Sequence, residues 1–362
     1  MHQTIRFTRS VDEVRLAYAE SGTGPPLVKA ANWLSHLEFD WQSPVWRHWF
    51  DFFSSAHRLI RYDARGCGLS DWDVADLTLA AQVADLEAVV ESAHVDRFAL
   101  IGISQGGAVA VEYSIRHPER VSHLVLYGAF ARGWKHRGEQ AARQYRALNE
   151  LVRLGWGQEN PAFRKLFATM FVPDASDEQE RWFADLMRVT SEPEIAARII
   201  EATGDIDVVD RLPAVTAPTL VIHGRDDARV PYAQGRALAT AIPGAHFVSL
   251  ESRNHILLES EPAWARFRTV FGEFTGERAP EEDYVARSAS FGQLTARELD
   301  ILCHLARGLS NADIAERIFI SEKTVRNHLT SIFSKLDVDS RAKAIVLARE
   351  GGLLKQREGH SS

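Results

Sequence analysis

Gly102-Ile103-Ser104-Gln105-Gly106 directly follows the apolar run 98–101 and directly precedes the helix-forming run 108–117. A serine between glycines at a strand-to-helix junction has the form of a strained elbow. The small neighbours permit close backbone approach and hold the hydroxyl clear of the sheet. A nucleophilic serine needs a base, and the base needs a carboxylate to orient it. Both follow in the chain. The apolar run 219–223 opens into Gly224-Arg225-Asp226-Asp227-Ala228-Arg229-Val230-Pro231, and the run 246–250 leads into Ser252-Arg253-Asn254-His255. The order along the chain is serine, carboxylate, histidine.

Around these motifs, short β-branched or apolar runs alternate with amphipathic stretches up to about residue 272, the pattern of an α/β sheet with crossover helices. Strands are expected at 5–8, 14–20, 26–30, 58–63, 98–103, 121–127, 219–223 and 246–250. The strand signal lapses over residues 130–212, where helices rich in Arg, Glu and aromatics are expected at 140–154, 161–171, 178–189 and 192–202. This segment reads as a helical lid inserted into a core formed by residues 1–129 and 213–275. Residues 276–290, with Gly276, Pro280 and the run Glu281-Glu282-Asp283, read as a linker. A small all-α domain is expected over residues 291–362.

Length and composition agree with this division. The 362 residues exceed the ~150 of an ordinary domain, so more than one folding unit is expected. With 45% hydrophobic and 25% charged residues, a disordered chain and a collagen are excluded. Cys67 and Cys303 are too far apart in sequence for a disulfide framework or a C-x-x-C metal site. His36, His48 and His57 have no metal spacing, so neither a metal nor another cofactor is expected. No run of 18 apolar residues occurs and the first residues lack a signal-peptide pattern, so the reading is a cytoplasmic protein with no membrane partner. Residues 288–362 carry eleven basic and nine acidic side chains, leaving 31 basic against 40 acidic for residues 1–287. A mildly basic tail on an acidic body permits nucleic-acid contact at the tail.

The elbow, the loop Asp63-Ala64-Arg65-Gly66-Cys67-Gly68-Leu69-Ser70 and the turn Asp227-Ala228-Arg229-Val230-Pro231 together resemble the α/β-hydrolase family over about residues 1–275. The resemblance implies Ser104 as nucleophile and His255 as base. It favours Asp227 over Asp226 as the acid, since the family places the acid four residues before the proline. It implies an oxyanion hole from the backbone N–H groups of Gln105 and Trp33. Here the loop after the third strand reads Ala30-Ala31-Asn32-Trp33, where the family usually has His-Gly. Trp33, His36, Trp41 and Trp46 fall close together at the expected pocket mouth and are candidates for binding an apolar or aromatic ligand. His223 reads as a packing or capping residue.

In the tail, Leu294-Thr295-Ala296-Arg297-Glu298 begins with a capping box, and Gly308-Leu309-Ser310-Asn311 ends one helix and caps the next. A longer helix is expected over 322–336. Two helices joined by a tight turn, the second polar on its outer N-terminal half, form a helix-turn-helix. With Ile314, Ala315, Ser321, Thr324, Val325 and His328, the segment resembles the LuxR-type DNA-binding domain. The resemblance implies that helix 322–336 enters the major groove of double-stranded DNA and that a fourth helix, 341–350, supplies a homodimer contact. Arg326, Asn327 and Thr330 match the base readers. Lys323, Thr324, His328 and Lys335 would lie along phosphates.

Three functions fit. The first is a transcription regulator whose hydrolase-like domain senses a small acyl-, ester- or lactone-type ligand, with RNA polymerase as a further partner in an activator. The second is a serine esterase or lactonase whose tail tethers or autoregulates it. The third is an enzyme of the same fold with other chemistry, such as a haloperoxidase or C–C hydrolase.

Overall fold

The computed structural model of the chain describes residues 2–158, 161–276, 294–318, 320–336 and 338–350. They divide into two compact units, Met1–Gly276 and Glu277–Ser362. The linker expected at 276–290 lies almost wholly outside the described residues.

The first unit is an eight-stranded sheet of order β1-β2-β4-β3-β5-β6-β7-β8. Its strands are β1 (Gln3–Arg9), β2 (Arg15–Ser21), β3 (Pro26–Ala30), β4 (Arg58–Tyr62), β5 (Phe98–Ile103), β6 (Val121–Tyr127), β7 (Thr219–Gly224) and β8 (His246–Leu250). β1 pairs antiparallel with β2, and β2 antiparallel with β4, while all later pairings are parallel. Edge strand β1 shows partial exposure along its length, whereas every residue of β5 and β7 is buried. That contrast follows from helices covering both faces of the parallel part, which turns an alternating pattern into a continuous apolar run.

The helices of the sheet are α1 (Leu37–Asp40), α2 (Arg47–Ala56), α3 (Leu79–Ser92) and α4 (Gly106–Arg116); the lid interrupts this series, and α9 (Tyr232–Ala241) and α10 (Pro262–Thr275) complete it. The lid itself, between β6 and β7, is α5 (Glu139–Gly155), α6 (Pro161–Thr169), α7 (Asp177–Thr190) and α8 (Pro193–Asp205). Helix α7 starts with a full capping box from Ser176 and Gln179, and α8 starts with Pro193, whose fixed φ and missing N–H suit a first turn. Trp49, Phe53 and Phe267 form a contiguous aromatic core between α2 and α10, with ring centroids 4.6–6.3 Å apart. Trp49 is fully buried there and its indole N–H donates to the Leu257 carbonyl at 3.0 Å.

The second unit comprises α11 (Ala296–Ala306), α12 (Asn311–Arg317), α13 (Glu322–Lys335) and α14 (Arg341–Glu350) around its own core, which includes Ile301, Leu305, Ile314, Val325 and Ile332. Capping boxes Thr295/Glu298 and Ser310/Asp313 begin α11 and α12. Each satisfies two backbone donors that a helix start leaves open.

Candidate functional site

Ser104 sits where β5 ends and α4 begins, with φ at +54°, a left-handed conformation that costs a side chain of this size about 1–2 kcal/mol. The surrounding backbone over-determines it. A Cβ on Gly102 would lie 2.6 Å from the Gly106 carbonyl oxygen, and one on Gly106 2.8 Å from that of Ala31. Both glycines are therefore steric requirements of the elbow, and the Ser104 N–H is anchored on the Tyr127 carbonyl at 3.0 Å.

Asp227 lies in the turn after β7. Its Oδ1 accepts the N–H groups of Arg229 and Val230 at 2.8 and 2.9 Å, and its Oδ2 accepts from His255 Nδ1 at 2.8 Å. Asp226 is exposed. Burial pushes the Asp227 carboxyl upward, but the charge and hydrogen bond of His255, with the Val230 N–H, outweigh it and hold the group below its ordinary range. The imidazole is seated against Gly128, where a Cβ would approach His255 Cε1 to 3.0 Å. With Nδ1 engaged by the carboxylate, Nε2 is left as the acceptor for a proton. That nitrogen is buried and has no hydrogen-bond partner among the described residues. His223 donates from Nε2 to the Val230 carbonyl at 3.0 Å and buttresses the acid turn, and burial lowers its pKa, so it stays neutral.

The loop after β3 brings Trp33 opposite the elbow. Leu34 takes φ +62°, a turn that no glycine or asparagine at that position announces. Asn32 fixes this loop: its Oδ1 accepts from the buried Lys29 ammonium and its Nδ2 donates to the Trp33 carbonyl at 3.1 Å. Among the described residues no acceptor engages the main-chain N–H of Trp33 or Gln105, the two groups assigned to the oxyanion hole.

Ser104, Gln105, Trp33 and His255 line one cavity, with about 40 Å³ of free space, room for two or three waters. Of the four candidates for ligand binding, Trp33 and Trp46 line it. His36 and Trp41 do not, which corrects the expectation for both. His36 caps α1, its Nδ1 accepting the Phe39 N–H at 3.3 Å; Trp41 stacks on Phe50 and carries the Arg47 guanidinium over its face at 4.4 Å. The short helix α1 carries them off the wall. In their place the lid and the acid turn supply residues that the sequence did not single out: Phe130, Trp134, Arg137, Tyr145, Phe171 and Arg229. Trp33 stacks on the lid's Trp156 at 5.4 Å, joining the loop after β3 to the lid. No cluster of His, Cys, Asp or Glu among the described residues has metal-binding geometry.

On α13, Val325, Leu329 and Ile332 are buried, whereas Lys323, Arg326, Asn327 and Thr330 are exposed. Thr324 and His328 are half-buried at the margin. Arg326 Nη1 lies 3.7 Å from Glu322 Oε1, a one-turn pair that DNA can displace. Thr330 Oγ1 donates to the Arg326 carbonyl at 3.1 Å. Lys335 corrects the expectation of a phosphate ligand. Its ammonium is committed to Glu298 at 2.7 and 2.9 Å, and Ser331 donates to the same carboxylate at 2.7 Å. Arg341, which the sequence placed only within a matching helix, bonds Asn311 Oδ1 at 2.8 Å and the Leu309 carbonyl, fastening α14 to the start of α12.

Sheet order, elbow, acid turn and inserted lid define an α/β-hydrolase architecture, and helices α11–α14 define a helix-turn-helix. The chain belongs to the α/β hydrolase fold family, whose profile matches residues 42–262, and it carries at residues 292–348 a domain of the bacterial regulatory proteins of the luxR family. It is similar to the AB hydrolase superfamily protein YisY of Bacillus subtilis, 28% identical over 255 residues that cover 69% of this chain and 91% of that one. It is also similar to a pyrrolizixenacetamide deacetylase of Xenorhabdus hominickii, 27% identical over 67% of this chain and 88% of the relative. In structure it resembles an esterase from Exiguobacterium antarcticum with a TM-score of 0.62 at 23% identity, over 75% of this chain and 98% of that one. No helix among the described residues is long and apolar enough to cross a membrane.

Proposed function

We propose that this chain is a DNA-binding transcription regulator whose α/β-hydrolase domain senses a small ester-, lactone- or amide-type ligand at the Ser104 pocket. The observation that carries the reading is the presence in one chain of an aromatic-walled cavity lined by Ser104 and by the Asp227-bound His255, and of a LuxR-type helix-turn-helix. The lid's Trp134, Tyr145 and Phe171 line the same cavity as Ser104, so a bound ligand meets the lid directly, a contact through which occupancy can bias the lid. DNA binding through α13, homodimerisation through α14, contact with RNA polymerase in an activator, and a cytoplasmic setting belong to this proposal.

The same groups support chemistry on the ligand. Ser104 Oγ attacks the acyl carbon while His255 Nε2 takes the hydroxyl proton, and the carbonyl oxygen, now an oxyanion, is held by the N–H groups of Gln105 and Trp33. Collapse of the adduct expels the alkoxide or amine, which takes the proton from His255. Water then repeats the sequence on the acyl-serine and releases the acid. Asp227 orients the imidazole and stabilises its charged form throughout. The placing of Ser104 and the Asp227-bound His255 on one cavity favours as second reading a serine esterase or lactonase whose DNA-binding domain tethers it.

Native mass spectrometry of the full chain with an ester and lactone library, paired with operator titration, distinguishes the two. A ligand that is retained and shifts operator affinity supports the sensor. Rapid conversion to released acid with unchanged operator affinity sinks it.

A further inference from the structure

We propose that the Ser104 pocket selects a ligand carrying a carboxylate beside its scissile carbonyl, held by the guanidinium groups of Arg137 and Arg229. The inference rests on the reading of that cavity as a ligand site and names the class of ligand.

Both arginines line the cavity together with Ser104 and His255. Neither has a carboxylate within ion-pair distance among the described residues, although charged neighbours on the same surface do. Arg132 pairs with Asp207, Lys135 with Glu201, Arg225 with Glu251 and Arg253 with Asp174. Arg137 spends Nε on the Arg132 carbonyl at 2.7 Å and also meets the Tyr145 hydroxyl. Arg229 makes no side-chain hydrogen bond among the described residues. Aromatic faces hold both groups instead. Arg137 lies over Phe130 at 4.6 Å, and Arg229 lies against Tyr145 at 4.9 Å and Phe171 at 5.0 Å, with the Phe171 ring 5.9 Å from that of His255. An aromatic face steadies a cation without neutralising it and leaves the planar N–H edge for an oxyanion.

The energetics favour the same ligand. Burial and the repulsion of Arg229 hold Arg137 below its ordinary pKa, with Tyr145 opposing them, and neither half-buried guanidinium has a carboxylate within ion-pair distance among the described residues. A half-buried charge without an ionic partner is costly, and a bound carboxylate offsets the repulsion between the two groups by its attraction to both. Guanidinium pairs with carboxylate in bidentate fashion, which fixes orientation as well as charge. The indole N–H of Trp33, a residue of the same wall, is buried without an acceptor among the described residues. A dicarboxylic hemiester, a lactone bearing a carboxylate and an N-acyl amino acid share the required pattern.

The test uses full-length protein carrying Ser104→Ala, which binds without turnover, with monophenyl glutarate and its neutral methyl ester as probes in titration calorimetry. The hemiester anion is expected to bind at least about tenfold tighter. Arg137→Met and Arg229→Met, which keep the apolar stem, should each remove most of that preference and leave the neutral diester within about twofold; Arg229→Lys, which keeps the charge without the fork, should retain part of it. Equal or tighter binding of the diester, an anion preference that survives both Met substitutions, or no binding of either compound overturns the proposal. Because neither DNA nor turnover enters the measurement, failure of the sensor reading in the operator titration is seen separately.

Discussion

The carboxylate next to His255 is decided by two oxygens. Asp227 divides them, one on the turn's N–H groups and one on the imidazole, whereas Asp226, its neighbour, faces solvent. An amide at 227 presents the wrong group to Nδ1, so Asp227→Asn is expected to lower kcat on p-nitrophenyl acetate by on the order of 10³–10⁴, with the fold intact. Asp226→Asn should leave it unchanged; equal losses in the two variants would refute the assignment. Gly128 is a second decisive position, with φ +54° and the imidazole at contact distance, so Gly128→Ala should displace His255 and depress kcat without a comparable fall in melting temperature. Of these groups the sequence displayed Ser104, the two aspartates and His255, because each belongs to a short motif. Arg137 and Tyr145 belong to no motif and Arg229 holds an unspecified position of the acid turn, so only packing of the lid over the elbow assigns them a wall.

Among elements, the reading helix α13 joins two kinds of lysine. Lys323 stands exposed on the outer first turn, while Lys335 is bound to Glu298 of α11. Lys323→Ala is therefore expected to lower the salt slope of operator binding by about one per subunit, and Arg326→Ala to cost about 1–3 kcal/mol on the cognate site and relax one base pair. Lys335→Met should instead lower the melting temperature of the C-terminal unit and leave the salt slope alone. The Lys335 ammonium, first of all, and the Thr295 and Ser331 donors pull the Glu298 carboxyl down to about 2 from its ordinary 4.5. Its folded pKa lies below the unfolded one, so its contribution is complete above about pH 4.5 and is lost as pH falls toward 2. Melting of Glu298→Gln against the parent should show a gap at pH 7 that closes over that acid range; a gap independent of pH would mean that Glu298 acts by packing alone. The capping box of α11 and the cap of α12 were legible in sequence because each spans a few residues. The Glu298–Lys335 pair spans 37 positions and was not.

For the whole molecule, the C-terminal unit has a core of its own, from Leu294 to Ala348. A fragment of residues 288–362 is expected to fold and to protect the same operator in footprinting as the full chain, as an inverted repeat read by a two-fold dimer. Protection of one half-site at saturation by a monomer would count against the dimer. The sequence by itself determined the two units, the eight strands, the inserted lid and the order serine, aspartate, histidine, since period, caps and turn residues act over a few positions. The tertiary structure alone decided which tryptophans face the cavity, that Lys335 is spent internally, and that two arginines without a carboxylate in ion-pair reach share the Ser104 cavity. Those outcomes depend on contacts between residues tens to hundreds of positions apart, set by how helices close over a sheet, and no local pattern encodes them.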